Sequence, residues 1–439
     1  VKEFDEMLSN YVLRESLDHV ALPVMYPARL LFPAPEVRDL AAAVYEALQT
    51  GGILDRVQPG MRVAVGVGSR GVACISELTR AVVDALRQVG AEPFVIPAMG
   101  SHGGATAEGQ RQVLADLGVT EEKVGAPIVS SMEVVELGHL PQGVPICMDR
   151  HAYEADGTIL INRIKPHTDF HGPIESGLAK MCVIGLGKVR TAEAIHARGP
   201  NGLRDLIPPA ARLVVERGRI LGGLATIENA YHGVAEVVGV PAKEIAGPVE
   251  QALLTRAREL MPTLPFEHLD VLVVDEMGKD ISGAGMDTNI IGRMLLPGVS
   301  EPERPQINAI VVLDLTAATH GNAVGLGLAD VTTERLLSQV DWEITHVNEL
   351  TAGIMSLWRG KLPWVAPNDR TAIRLALRLC GRPDPENAQV MRIRNTLTLD
   401  RVWISHSLVK VAREMPNVKV GDTPVEWGFD SAGRLISPI

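Results

Sequence analysis

Three consecutive stretches do most to limit what this chain can fold into. Met61 to Val67 alternates and is rich in valine, as a strand does. Ile75 to Val89 carries apolar residues at helical spacing and stops at Gly90, and Glu92 to Pro97 is a second short strand. A loop, Gly100-Ser-His-Gly-Gly-Ala-Thr106, and a helix from about Ala107 to Leu117 follow. Strand, helix, strand, loop, helix in that order implies a parallel sheet with helical crossovers.

The rest of the chain continues the alternation. Pro127 to Val135, Gly157 to Ile161 and Arg219 to Thr226 read as strands; Thr191 to Ala197, Leu203 to Glu216 and Ala242 to Leu260 read as helices. Two prolines within Met261-Pro-Thr-Leu-Pro265 read as a linker. Beyond it, strands are expected at Leu269 to Val274, Ala309 to Leu313, Val390 to Arg394 and Leu397 to Ile404, and helices at Thr345 to Trp358 and Ala372 to Leu379. The expected fold class is α/β: two α/β domains, 1–264 and 265–439, with mostly parallel sheets and an active site in the cleft between them. The last forty or so residues are a segment that can pack back on the first domain.

Composition narrows the function classes. A formal net charge of −11 argues against a phosphate-backbone partner, and aromatic residues at 4% leave few stacking platforms for single-stranded nucleic acid. The four cysteines, Cys74, Cys147, Cys182 and Cys380, form no CxxC pair, which fits a reducing compartment. The first residues lack a signal-peptide pattern and no apolar run reaches membrane-spanning length, so a cytoplasmic protein without nucleic-acid or membrane partners is expected.

Chemistry concentrates between Asn162 and His196. This run is rich in glycine and proline and holds His167, His171, Lys180 and His196. Imidazole changes charge near neutral pH and is also a common metal ligand. Upstream, Arg70 and His102 fall at the ends of the two predicted parallel strands, where α/β folds bind ligands. Thr106 opens a helix whose free amides could hold a phosphate, and the bland alternative is a plain helix cap. His171 reads equally as a hydrogen-bonded loop histidine, and Lys180 as a solvated lysine. Gly66-Val-Gly-Ser-Arg-Gly71 has the spacing of a dinucleotide-binding turn, but the next strand ends without the acidic residue that motif requires. In the second half, Gly283-Ala-Gly-Met-Asp-Thr-Asn289 and Gly292-Arg293 follow a strand, and Arg293 could hold a carboxylate with its fork of donors. No HExxH, GxSxG or GxxxxGK[ST] motif occurs.

Taken in order, Arg70, His102 in its Gly-Ser-His loop, His167, Lys180 in Ser176-Gly-Leu-Ala-Lys, and His196 in Ala-Ile-His resemble the nickel-pincer lactate racemase family. The resemblance runs from about residue 20 past residue 300. It implies a nickel-pincer nucleotide, a pyridinium mononucleotide holding nickel through sulfur, carbon and sulfur, that passes a hydride reversibly while a 2-hydroxy acid crosses a planar 2-keto acid. By the same resemblance Lys180 takes the position of covalent attachment, His196 is the nickel ligand, and His102 and His167 are the paired acid and base. Arg70 binds the substrate or its developing alkoxide; the helix-start reading separately offers Thr106 for the cofactor's phosphate. Expected partners are a small 2-hydroxy acid and the proteins that make the cofactor.

The chain departs from the lactate enzymes in places. Val67 stands where they have an aspartate. The His167–Lys180 interval is longer, which makes His171 a competing assignment, and the second-domain Gln and Lys are not both present, leaving Arg293 or Lys279 as candidate carboxylate anchors. These departures point to a hydroxy acid other than lactate. The other readings of the same residues are an NAD-dependent oxidoreductase using the Gly66 turn, and a non-catalytic nickel- or nucleotide-binding protein.

Overall fold

The computed structural model describes residues 17–69 and 71–439. The chain divides into two compact units. One is Pro33–Met261; the other joins the described residues up to Phe32 to Pro262–Ile439.

The strands, in chain order, are β1 (Met25–Leu30), β2 (Arg62–Val67), β3 (Glu92–Pro97), β4 (Val134–His139), β5 (Pro145–Asp149), β6 (Gly157–Arg163), β7 (Ile220–Glu228), β8 (Val234–Pro241), β9 (His268–Met277), β10 (Gln306–Leu315), β11 (Val331–Thr333), β12 (Trp364–Ala366), β13 (Val390–Ile393), β14 (Arg401–Ser405) and β15 (Val418–Val420). The main helices are α1 (Leu40–Thr50), α2 (Ile75–Gln88), α3 (Ala107–Asp116), α4 (Lys188–His196), α5 (Gly199–Arg217), α6 (Pro248–Leu260), α7 (Trp342–Ala352), α8 (Asp369–Leu379) and α9 (His406–Glu414).

Unit 33–261 is built on a five-stranded sheet of order β3-β2-β6-β7-β8. β2 pairs in parallel with both β3 and β6, and β6 with β7; only β8 is antiparallel. Strands buried on both faces need continuous apolar sequence, and β2 supplies it, with every residue from Val63 to Val67 buried. Leu78, Val82 and Leu86 of α2 pack on that sheet in one core with Val63, Val65, Val95 and Ile159. The second unit has an eight-stranded sheet, β12-β11-β10-β9-β13-β14-β1-β15, parallel from β12 to β13 and antiparallel from there on. Both units are therefore mixed α/β with largely parallel sheets.

Several elements differ from the sequence reading. Pro127 to Val135 contributes only an isolated bridge, Val95 to Ile128, and the regular pairing is a hairpin of β4 with β5 further on. The helix expected over Ala242 to Leu260 is broken: a short 3-10 turn ends at Glu244, and α6 starts at Pro248, whose ring suits a first helical position. Leu397 to Ile404 is a strand only from Arg401, because Asn395 folds its side-chain oxygen onto the amides of Leu397 and Thr398. The helix of Thr345 to Trp358 begins earlier, capped by Asp341, and ends at Gly353. β1 pairs with β14 and β15 of the second unit rather than with the 33–261 sheet, so the stretch expected as 1–264 loses its beginning to the other unit, and the final forty residues pair there too. Among the described residues no helix is long and apolar enough to cross a membrane.

Candidate active site

The loops after β2, β3 and β6 leave the C-terminal ends of adjacent parallel strands, the edge where α/β sheets bind ligands. The β6 loop is the best defined. Two reciprocal bonds between Lys165 and Ser176, 3.2 and 3.3 Å, close it at its base. Inside it Glu175 is buried and takes donors from three sides. It accepts the His167 amide at 2.6 Å, the Gly172 amide at 3.0 Å and the Arg258 guanidinium, and lies 3.3 Å from His171 Nδ1. Phe170, 2% exposed, packs against the His167 ring with centroids 4.6 Å apart.

His167 Nε2 lies 2.6 Å from Lys180 Nζ. Its Nδ1 lies 3.0 Å from the Asp169 amide and 3.7 Å from the Asp169 carboxylate. With the ring proton on Nδ1, that proton faces the carboxylate and Nε2 accepts from the lysine; with the proton on Nε2, Nδ1 accepts the amide instead. The ammonium can only donate, so the first arrangement suits a charged Lys180, and the second requires the lysine to be neutral.

Lys180 closes a short helical turn, Leu178–Lys180, whose start is held by Glu250 of α6: Oε1 accepts from Ala179 at 3.0 Å and Oε2 from Ala246 at 2.7 Å. Burial raises the Glu250 pKa against these bonds. Gly177 is glycine because a Cβ there would lie 2.5 Å from Glu250 Oε1. A π-helical turn, Met181–Gly185, follows Lys180, and such single turns recur at functional sites. α4 then delivers His196 at its C-terminal end. Burial first, and the Lys180 charge second, hold the His196 imidazole below its ordinary pKa, opposed by Asp169. Lys180, His167, Asp169 and His196 thus form one electrostatic neighbourhood.

His102 stands on the β3 loop and shares a short hydrogen bond between its Nδ1 and Ser69 Oγ, from the β2 loop. That bond engages the Nδ1 side of the ring. Arg70 lies outside the described residues. Thr106 caps α3, accepting from Gly109 at 3.0 Å. His171 is exposed and leans on Glu175. In the other unit, Arg293 directs its guanidinium to Asp330 at 2.7 Å and to the carbonyls of Leu328 and Ile307 at 2.9 and 3.1 Å. Lys279 Nζ donates to Gly283 at 2.8 Å. Gly66 is inside β2, not in a turn, and a Cβ there would meet Leu160 at 2.7 Å, so its smallness serves packing.

The sequence reading did not single out Ser69, Asp169, Glu175 or Glu250. Asp169 and Glu175 lie within the motif-bearing run and Ser69 within the Gly66–Gly71 turn, so each had a local signal; Glu250 had none, since it bonds Ala179 across 71 positions.

The family profile of the lactate racemase N-terminal domain matches residues 22–201. Among solved structures, the lactate racemase apoprotein from Thermoanaerobacterium thermosaccharolyticum is similar over 84% of this chain and 99% of that one, with TM-score 0.53 and 12% identity, a likeness of fold. A Thermotoga maritima protein solved by structural genomics is similar over 64% of this chain and 72% of that one, with TM-score 0.47 and 16% identity. No curated protein matches the chain.

Proposed function

We propose, from the match of the lactate racemase N-terminal domain profile to residues 22–201, that the protein is a member of that family and racemises or epimerises a 2-hydroxy acid by way of a 2-keto acid, with a nickel-pincer nucleotide as its cofactor. The observation that carries the reading is the Lys180–His167 contact of 2.6 Å, with His196 sensing the same lysine. The groups that the family resemblance assigns to attachment, proton transfer and metal ligation are neighbours here.

The donor set fits the cofactor. Burial keeps His196 neutral to lower pH, so its lone pair is available to a soft, square-planar metal. Among the described residues no three His, Cys, Asp or Glu side chains gather to hold an ion; a group that brings its own sulfur and carbon donors needs one imidazole from the protein. Lys180 is the proposed tether and His196 the proposed nickel ligand. When bound, the group supplies a reversible hydride acceptor.

The remaining work falls to side chains. Inverting a hydroxyl-bearing carbon requires its C–H hydrogen to leave as hydride and return to the opposite face, while the hydroxyl proton is taken by one base and given back from another. His102 and His167 are proposed for this, one on the β3 loop and one on the β6 loop. Ser69 holds the His102 ring through Nδ1, and Glu175, through the His167 amide, holds the loop that carries His167. Arg70 is proposed to bind the substrate or its developing alkoxide. His171, tied to Glu175, is the second choice for the His167 role.

The test is chiral chromatography of a panel of 2-hydroxy acids after co-expression with pincer-making proteins. The loaded wild type is expected to racemise at least one. His102→Ala and His167→Ala are each expected to lose about 10²–10⁴-fold in rate, and Lys180→Ala and His196→Ala to lose bound nickel by elemental analysis. Racemisation undiminished in all four variants overturns the proposal. Tight NAD binding by calorimetry with no racemisation would move the assignment to an oxidoreductase.

A further inference from the structure

A second polar cluster of unit 33–261 lies buried beside the candidate site, centred on Lys188. Its side chain is 1% exposed and begins α4, the helix that ends in His196. Its ammonium donates to Pro97 O at 2.6 Å and Gln110 Oε1 at 2.9 Å, and lies 3.2 Å from Asp149 Oδ2. Pro97 is the last residue of β3, just before the His102 loop. Gln110, fully buried on α3, spends its two amide hydrogens on Gly100 O at 2.8 Å and His102 O at 3.2 Å.

The order of these bonds matters. Neutral glutamine can present either end of its amide to the loop. An ammonium on one side can only donate, so it takes the oxygen end, which turns the NH2 toward the two loop carbonyls. The buried charge thus dictates the orientation of Gln110, and Gln110 dictates the path of the backbone that carries His102. Asp149 meets the ammonium by charge rather than by an aligned hydrogen bond, and its other oxygen caps the helix Arg150–Glu154.

Backbone contacts run along the same line. Gly100 N donates to Gly185 O at 3.2 Å, and a Cβ on Gly185 would lie 2.7 Å from Ala98 O. The His102 loop therefore rests on the π-helical turn that joins Lys180 to Lys188. Lys188 has φ +49°, a left-handed conformation that an L residue keeps only where surroundings over-determine it.

From this geometry we infer that Lys188 is a positioning residue: through Gln110 and Pro97 it holds the His102 loop in place against the segment that carries Lys180 and His196. The role given to His102 rests on the racemase reading; the arrangement does not. Burial lowers the Lys188 pKa and Asp149 opposes the shift, so the ammonium has a counter-ion in place.

The test uses the full chain without cofactor, labelled with ¹⁵N-histidine, and reads ring tautomer and titration by long-range ¹H–¹⁵N NMR. Lys188→Met keeps the stem and removes the charge; Gln110→Met removes the relay and leaves the Lys188–Asp149 pair. Both are expected to change the His102 ring tautomer ratio, with the His171 signals unchanged as the internal control. The His102 amide, bonded to Met99 O, is expected to exchange about tenfold faster. Unchanged His102 signals in either folded variant overturn the inference. Once loaded, Lys188→Met is expected to lower kcat about 100-fold with KM little changed. A wild type that racemises nothing would sink the functional reading and leave the NMR result standing.

Discussion

Glu175 brings two carboxylate oxygens, themselves buried, to a histidine amide, a glycine amide, an arginine and an imidazole. Glu175→Gln keeps the shape and turns one acceptor into a donor that faces other donors. The expected loss is about 1–3 kcal/mol, the cost of leaving buried groups unpaired, read as a lower urea midpoint and a shifted His167 ring resonance. An unchanged midpoint would show that Glu175 does not hold the loop. His196 gives the pH counterpart. Its folded pKa is below the unfolded value, so between the two the unfolded chain binds more protons and stability falls as pH drops from about 6.5 through the folded pKa. Lys180→Met is expected to raise the His196 titration while leaving it below its ordinary value, because burial is the larger cause and the Lys180 charge the smaller. A His196 titration that stays put in the Lys180→Met chain would separate the two residues electrostatically and remove the main support for a shared site.

At the scale of elements, the π-helical turn Met181–Gly185 shows what the sequence did and did not reveal. The run containing Lys180 and His196 was legible because its glycines, lysine and histidines lie close together in the chain. The extra residue of the π turn was not, because apolar spacing does not distinguish an i+5 bond from an i+4 bond, and here Leu186 N reaches back to Met181 O at 2.9 Å. The supports were hidden for a different reason: Glu250 bonds Ala179 across 71 positions and Lys188 bonds Pro97 across 91, distances over which no local pattern exists. β2, α2 and β3 were read nearly to their ends because a buried parallel strand and an amphipathic helix write themselves into neighbouring residues. Gly185 tests the turn directly. Gly185→Ala places a methyl 2.7 Å from Ala98 O, a backbone atom that cannot swing aside. Overpacking of this kind costs about 1–3 kcal/mol, and the chain is expected to show that loss in chemical denaturation together with faster exchange of the Gly100 amide. Full wild-type stability in Gly185→Ala would mean that the β3 loop does not rest tightly on the turn.

At the scale of the whole molecule, the sequence suggested one cut near residue 264, and the second cut at residue 32 was invisible to it. β1 reads as a short stretch among prolines, and nothing in Met25–Leu30 states that its partners are β14 and β15, almost four hundred positions away. The energetics of that pairing are legible from burial. Leu17, Val20, Met25 and Leu30 are each at most 3% exposed. At about 1.5–3 kcal/mol per fully buried aliphatic side chain, four of them amount to about 6–12 kcal/mol, comparable with the whole stability of an ordinary domain. A fragment of residues 33–261 keeps its five-stranded sheet, its core and all of Ser69, His102, His167, Lys180, Lys188 and His196. It is expected to unfold cooperatively and to reproduce the His102 and His196 titrations of the full chain. A fragment of residues 262–439 lacks a strand that is paired on both sides and is expected to be unfolded or aggregated alone, and to recover cooperative unfolding when residues 17–32 are joined to it. If residues 262–439 melt alone at the temperature of their transition in the full chain, β1 is an accessory strand, and the second unit owes its stability to its own core.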